Sequence, residues 1–304
     1  RVRVLEEAST PRVSNINDKY RLVTFLGLMT FLGTAAVVVL LDFLLRPVSS
    51  AYQISYGLGL PVLGDLPLIQ RGPFSRITSN GQMPEHVKTI LLESVDQLRT
   101  VLLHRAKRDG VKSVLVTSAL AREGKTTLAS QLAVSMARAG RRVILVDGDL
   151  RRPRLHRVLR RDLHPGLAEL ARNEATPQEI VQAAELEGLY LVTAGHCDAA
   201  ALEAVSQGRL DGFLDSLRDT FDMVLIDSSP LLTTADSMIL AHLADGVVLS
   251  VVQDRTRLPR LFEAVQRLRA VDLPLIGIVI HGTAPSRYRS YYRSYTIDVE
   301  VRKS

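Results

Sequence analysis

The stretch Val114-Leu115-Val116-Thr117-Ser118-Ala119-Leu120-Ala121-Arg122-Glu123-Gly124-Lys125-Thr126-Thr127 decides the fold. A β-branched run ends in Thr-Ser, a loop follows, and Gly-Lys-Thr-Thr opens an amphipathic segment from Leu128 to Ala139. That is the strand, loop, helix order of a phosphate-binding P-loop, although Ala119 stands where the usual pattern has its leading Gly. Loop amides, here those of Glu123, Gly124 and Thr127, and the helix N-terminus present N–H groups and a positive dipole to phosphate. Lys125 is placed to reach the β/γ-phosphates of a nucleotide, and the Thr126 hydroxyl to ligate Mg²⁺.

Two further strands end in aspartate. Val143-Ile144-Leu145-Val146-Asp147-Gly148-Asp149 is an unbroken apolar run with carboxylates at its C-terminal end, where ligands bind in parallel sheets. Asp147 and Asp149 can hold Mg²⁺ or its waters, or accept a proton from an attacking hydroxyl. Phe221 to Asp227 repeats the pattern, and Pro230 ends the run. There Asp227 would accept hydrogen bonds from Mg²⁺-bound water, the Walker B role. Arg151, Arg152, Arg154, Arg157, Arg160 and Arg161 follow the second strand densely. They can neutralise phosphate, meet a neighbouring subunit or face solvent; Arg151 and Arg152 lie near enough to the aspartates to favour a functional role.

Further on, strands are expected at 189–193, 245–252 and 275–280, and helices at 85–105, 202–218 and 260–270, with short helices over 166–188. Alternating strands and helices imply an α/β fold, a P-loop NTPase-like doubly wound parallel sheet. His281, at the end of the last strand, borders a base or is structural or solvated.

Outside that domain, Leu22 to Leu41 carries no charge. Twenty residues of helix span roughly 30 Å, the thickness of a bilayer's hydrocarbon core. One transmembrane helix, 22–45, is therefore expected ahead of the α/β domain. Basic residues flank both ends, so the positive-inside rule barely orients it; cytoplasmic ATP places the residues after Arg46 inside. The expected organisation is an extracytoplasmic segment at 1–21, the helix, a juxtamembrane region and linker at 46–84, the nucleotide domain at 85–284 and a flexible tail at 285–304. The single cysteine, Cys197, excludes an internal disulfide framework and suits a reducing compartment. A net charge of +6 is compatible with phosphate ligands, anionic lipid and nucleic acid. Because the chain begins at Arg1 and not Met, a fragment or processed product is expected.

Four of the eight tyrosines fall within Tyr288–Tyr295 (Tyr288, Tyr291, Tyr292 and Tyr295), interleaved with Arg and Ser. Such a tail can stack on bases, lie on a membrane or accept phosphate, and the ATP site on the same chain favours the last.

In this combination the chain resembles a bacterial tyrosine autokinase (BY-kinase) of the exopolysaccharide and capsule co-polymerase family, over nearly all its length. The marks are VTSALAREGKTT, ILVDGDLRRP, VLIDSSP and the terminal tyrosines. The resemblance implies that Lys125 and Thr126 bind the phosphates and Mg²⁺ of ATP. It assigns metal binding and deprotonation of the acceptor tyrosine to Asp147 and Asp149, and completion of the metal shell to Asp227. It further implies an inner-membrane protein with a cytoplasmic kinase domain, whose ring-forming copies phosphorylate one another's tails and so regulate polymer length and export. Polysaccharide polymerisation and export machinery and a tyrosine phosphatase are the implied partners; nucleic acid is not. Three positions depart from the family pattern: Ala121-Arg122 replaces Pro-Gly, Asp96 replaces the first Arg of a Glu-x-x-Arg-x-x-Arg contact motif, and His281 replaces an Asn near the adenine. The rival classes are a nucleotide-gated membrane scaffold with weak catalysis and a Par/Min-like ATPase, which would need salt-sensitive DNA binding.

Overall fold

The apolar runs become neighbouring strands of one sheet. The computed structural model describes residues 16–45, 47–67, 85–234 and 236–283. The chain divides into two units, Arg1–Arg46 and Pro47–Ser304.

The first unit contributes α1 (Ile16–Leu45). Its stretch Lys19–Leu40 is long and apolar enough to cross a membrane, with a mean hydropathy of 2.2, and none of it is buried against protein. The hydroxyls of Thr24, Thr30 and Thr34 donate to the carbonyls of Tyr20, Leu26 and Thr30, one turn back. The three threonine hydroxyls of the span are thus satisfied inside the helix, as an apolar solvent requires.

In the second unit the elements run β1 (Val62–Pro67), α2 (Glu85–Asp109), β2 (Ser113–Ser118), α3 (Lys125–Arg138) and β3 (Val143–Gly148). Short helices α4 (Leu155–Val158), α5 (Leu167–Ala171) and α6 (Pro177–Ile180) lead to β4 (Val181–Ala183) and β5 (Leu189–Val192). Then come α7 (Ala199–Ser206), α8 (Asp211–Thr220), β6 (Met223–Ser228), α9 (Asp236–His242), β7 (Gly246–Val252), α10 (Leu258–Arg269) and β8 (Leu275–Thr283). The eight strands lie in the order β1-β8-β7-β2-β6-β3-β5-β4. All neighbours are parallel except β4, which runs antiparallel to β5.

Alternate residues face opposite layers. Val114, Val116, Val143, Leu145 and Leu225 pack with Leu98, Leu102, Leu128, Leu132 and Met136 of α2 and α3. Leu115, Ile144, Val146, Val224 and Ile226 face the other way, toward Phe213, Leu217, Leu240, Leu261 and Val265 of α8 to α10. After β2 the chain steps past the place of β6 to β3, and after β6 it crosses to β7 on the far side of β2. The C-terminal edge of β2, β6 and β3 is therefore where a crevice opens.

Three expectations change. The stretch expected as a juxtamembrane region and linker contributes to the fold: Val62–Pro67 is the edge strand β1, paired with β8, and Val48, Ile54 and Leu60 are buried in the core. A Cβ on Gly277 would lie 2.6 Å from Leu63 Cγ and 2.9 Å from the Pro61 carbonyl, so the bare glycine lets β1 lie against β8. The expected helix 202–218 is two helices, broken where Gly208 takes φ 78. The expected short helices of 166–188 are joined by β4, whose pairing with β5 overrides local preference.

Candidate active site

The P-loop connects β2 to α3. Gly124 caps the helix with φ 85, and a Cβ there would come within 3.1 Å of the His281 Nε2. Two positions earlier Arg122 holds φ 67, a left-handed conformation that costs a side-chain-bearing residue about 1–2 kcal/mol. The loop therefore reaches its turn where the related pattern supplies Pro-Gly, at the expense of local strain.

β3 and β6 are in register with Asp147 opposite Asp227, so both carboxylates sit at the sheet's C-terminal edge beside the loop. The Lys125 ammonium lies 2.8 Å from Asp149 Oδ2 and 3.9 Å from Asp227 Oδ1. Neither Asp227 oxygen accepts a hydrogen bond from the described residues, although both are buried. Burial pushes its pKa up to about 7; Lys125 and the nearby Thr126 hydroxyl oppose the rise, while the Asp147 and Asp149 charges add to it. Asp147 differs. It accepts the amides of Leu155 at 3.0 Å, Arg154 at 3.2 Å and Asp149 at 3.3 Å. Burial still lifts it to about 6, against those hydrogen bonds and with the Asp149 charge adding to the rise. Its carboxylate thus holds the arginine-bearing loop in place, and Asp227 is the one that accepts no hydrogen bond from the described residues.

A cleft of about 400 Å³ opens over these groups, lined by Gly124, Lys125, Thr126, Thr127, Asp149 and Arg151 among the expected residues. Asp147 and Asp227 lie beneath it, with 0% and 1% exposure. The Glu123 carboxylate turns away from the cleft and is buried behind the loop, bonded to the Leu120 amide and the Thr256 hydroxyl. Burial raises its pKa against those two bonds. His281 is also behind the loop, against Gly124, with Nε2 unpartnered among the described residues. Burial lowers its pKa to about 4, which keeps the ring neutral at physiological pH. Asp96 and Arg99 are engaged within the chain, bonding each other and Ser135 of α3. Tyr288, Tyr291, Tyr292 and Tyr295 lie outside the described residues.

Thr233 and Thr234 line the cleft without a motif to mark them. Their signal was positional: they follow Pro230 just beyond the end of β6, and strand ends are where such sheets bind ligands.

The arrangement suits a magnesium nucleotide. Among the described residues no three His, Cys, Asp or Glu side chains converge on a ready-made metal cage. Mg²⁺ does not need one, since it keeps several waters and takes one or two carboxylates plus phosphate oxygens. The unpartnered, buried Asp227 carboxylate fits water-mediated contact with such an ion, Thr126 can offer its hydroxyl, and Lys125 with the loop amides fits the phosphates.

Comparison with known proteins agrees with this geometry. A family model described as an AAA domain matches residues 121–270. Tyrosine-protein kinase YwqD of Bacillus subtilis is 30% identical over 217 residues, covering 71% of this chain and 92% of the relative. EpsB of Ralstonia nicotianae is 28% identical over 304 residues, covering 96% of this chain; the chain spans only 40% of that longer relative. The solved BceF tyrosine kinase domain superposes with a TM-score of 0.68 at 26% identity, covering 78% of this chain and 99% of that domain.

Proposed function

Since the chain belongs to the bacterial tyrosine-protein kinases of capsule and exopolysaccharide synthesis, we propose that it transfers the γ-phosphoryl group of ATP to its own C-terminal tyrosines. The observation that carries this reading is the buried Asp227 carboxylate, which lies 3.9 Å from the Lys125 ammonium beneath the P-loop and accepts no hydrogen bond from the described residues. Mg·ATP, when bound, supplies the phosphoryl group and the divalent charge. Lys125 and the P-loop amides grip the β- and γ-phosphates, and Arg151 adds positive charge at the rim. Phosphate entry gives Lys125 a second anion to bind and so loosens its 2.8 Å contact with Asp149. Asp149, which lines the cleft, is then free to accept the phenolic proton of an incoming tyrosine. The phenolate oxygen bonds to the γ-phosphorus while the bond to the bridging oxygen breaks, and ADP leaves. Positioning and charge stabilisation do most of the work in such transfers.

The acceptors are Tyr288, Tyr291, Tyr292 and Tyr295, presented in trans by a neighbouring copy in a ring. Phosphorylation adds nearly two negative charges per site to an Arg-rich tail and dissolves that contact, a switch that a phosphatase resets. The kinase domain sits in the cytoplasm, anchored in the inner membrane through α1, beside polysaccharide polymerisation and export machinery. The test is incubation of the full chain with Mg·ATP and peptide mapping of residues 286–304. Phosphotyrosine there in wild type, absent in Lys125→Met, is expected. Nucleotide-dependent oligomerisation with no phosphotyrosine would replace the kinase by a scaffold.

A further inference from the structure

The positive charge around the cleft exceeds what one nucleotide uses. Among the described residues that line it, Arg122, Lys125, Arg151, Arg152 and Arg154 are matched by a single carboxylate, Asp149, which already holds Lys125 at 2.8 Å. Pro230, Thr233 and Thr234, which line the same cleft beyond β6, are uncharged. Lys125 and the P-loop serve the phosphates, and a bound Mg²⁺ offsets much of a triphosphate's charge. That leaves Arg152 and Arg154 as surplus. Both are exposed, and both stand on backbone that the site's own aspartates fix. The Arg152 amide donates to Asp149 Oδ1 and the Arg154 amide to Asp147 Oδ2, each at 3.2 Å. Their side chains therefore start beside Asp149, the group placed to take an acceptor's proton.

A bare tail is a poor partner for such a rim. From 284 to 304 the acidic side chains are Asp298 and Glu300 alone, and Arg287, Arg289 and Arg293 are threaded among the tyrosines. Tyr295 is the one acceptor with a carboxylate three residues on, at Asp298. Three positions after Tyr292 stands Tyr295, and three after Tyr288 stands Tyr291. Tyr291 has Ser294 at that place and Tyr295 one step beyond. The anion these places lack is one that phosphorylation supplies: nearly two negative charges, on oxygens that a guanidinium binds through two parallel hydrogen bonds. Three residues of extended chain span about 10 Å. A tyrosine hydroxyl at Asp149 thus leaves the third residue on at the rim.

We propose that Arg152 and Arg154 read the anion three residues C-terminal to an acceptor tyrosine, so that the tail is phosphorylated in order from Tyr295 toward Tyr288. The inference rests on the tail being the acceptor. Asp298 admits Tyr295 first. Phosphorylated Tyr295 then admits Tyr292 and, from one step farther, Tyr291; phosphorylated Tyr291 admits Tyr288. Every step is the same transfer: the phenolic proton goes to Asp149, the phenolate oxygen bonds to the γ-phosphorus, and ADP leaves. Because each product is the recognition element for the next step, a partly phosphorylated tail is a better substrate than a bare one. Phosphate therefore accumulates on tails already begun. The same rule describes an outside substrate, as a tyrosine followed at the third place by Asp, Glu or a phosphorylated residue.

The experiment incubates the dephosphorylated full chain, in detergent micelles, with Mg·ATP, stops the reaction early and maps residues 284–304 by mass spectrometry. Chains with a single phosphate should carry it on Tyr295. Asp298→Asn should slow that first transfer about tenfold, the effect of one charge-assisted hydrogen bond, and Asp298→Glu should preserve it. Tyr295→Phe should slow phosphorylation of Tyr292 and Tyr291 about tenfold, whereas Tyr288→Phe should leave the other three acceptors unchanged. In the double variant Arg152→Gln, Arg154→Gln the first phosphate should spread over all four tyrosines, and adding Asp298→Asn should change nothing more. If that double variant does not fold, the tail variants decide alone. First phosphates spread evenly in the wild type, or Tyr292 phosphorylated at the wild-type rate in Tyr295→Phe, overturn the proposal. So does an undiminished effect of Asp298→Asn in the double variant, which would take the reading away from these arginines. Bound nucleotide with no phosphotyrosine anywhere overturns the kinase reading itself, and this order with it.

Discussion

The two sides of the P-loop carry buried carboxylates in opposite conditions. In front, Asp227 has both oxygens buried and unpartnered among the described residues. Behind, Glu123 has both oxygens hydrogen-bonded at 2.8 and 2.7 Å. Burial raises the pKa of each, so burial alone does not distinguish them; satisfaction does. A satisfied buried acid is part of the scaffold, whereas an unsatisfied one beside a lysine is a place prepared for a ligand. Asp147, in register with Asp227, is buried as well but accepts three amides.

The contrast breaks most sharply at Asp227. Asp227→Asn should lower the phosphorylation rate about 100-fold, the scale of losing one charge-stabilising group. The same change should stabilise the nucleotide-free chain, since it removes the desolvation cost of a buried carboxylate that accepts no hydrogen bond from the described residues. A parallel loss of activity and of thermal midpoint would return Asp227 to the scaffold. Glu123→Ala should do the reverse and destabilise the nucleotide-free chain by about 1–3 kcal/mol, by leaving the Leu120 amide and Thr256 hydroxyl without their acceptor. Denaturant unfolding measures both.

A pH series sharpens the same point. Asp227 is raised from 3.8 to about 7, so between those values the folded chain holds a proton that the unfolded chain has released. Stability contributed by that proton is complete below about pH 4 and is lost as pH rises through about 7. Asp147, raised to about 6, adds a loss that is complete at lower pH. Unfolding free energies measured from pH 5 to 8 should fall less steeply in Asp227→Asn than in wild type. The smallest effect belongs to Arg122→Gly. Releasing φ 67 should stabilise the chain by less than about 1 kcal/mol, because the gain in the turn is offset by greater freedom of glycine when unfolded. Thermal unfolding detects it.

Much of the front was legible in sequence. Val143–Asp147 and Met223–Asp227 are unbroken apolar runs, which is how strands buried on both faces read, and their acidic ends point to the crevice. The back was not. Glu123 meets Thr256 across 133 positions, and no local pattern marks that pairing. β1 was hidden for a similar reason: Gly64, Asp65 and Pro67 are poor strand formers, and the strand exists because β8, with its bare Gly277, accepts it at the sheet edge. Spacing along a strand cannot reveal that the stretch after Asp147 folds back so that three of its amides reach that carboxylate. The division between kinase and juxtamembrane region blurred likewise, since Val48 and Ile54 enter the core only in three dimensions.

The most direct test is calorimetric titration of the chain with ADP, with and without Mg²⁺, in wild type and Lys125→Met. Binding strengthened by Mg²⁺ in wild type, and lost in Lys125→Met, is the expected result. Binding that is indifferent to both the metal and Lys125, or no binding by wild type, would contradict a magnesium nucleotide held between the P-loop and the acidic strand ends.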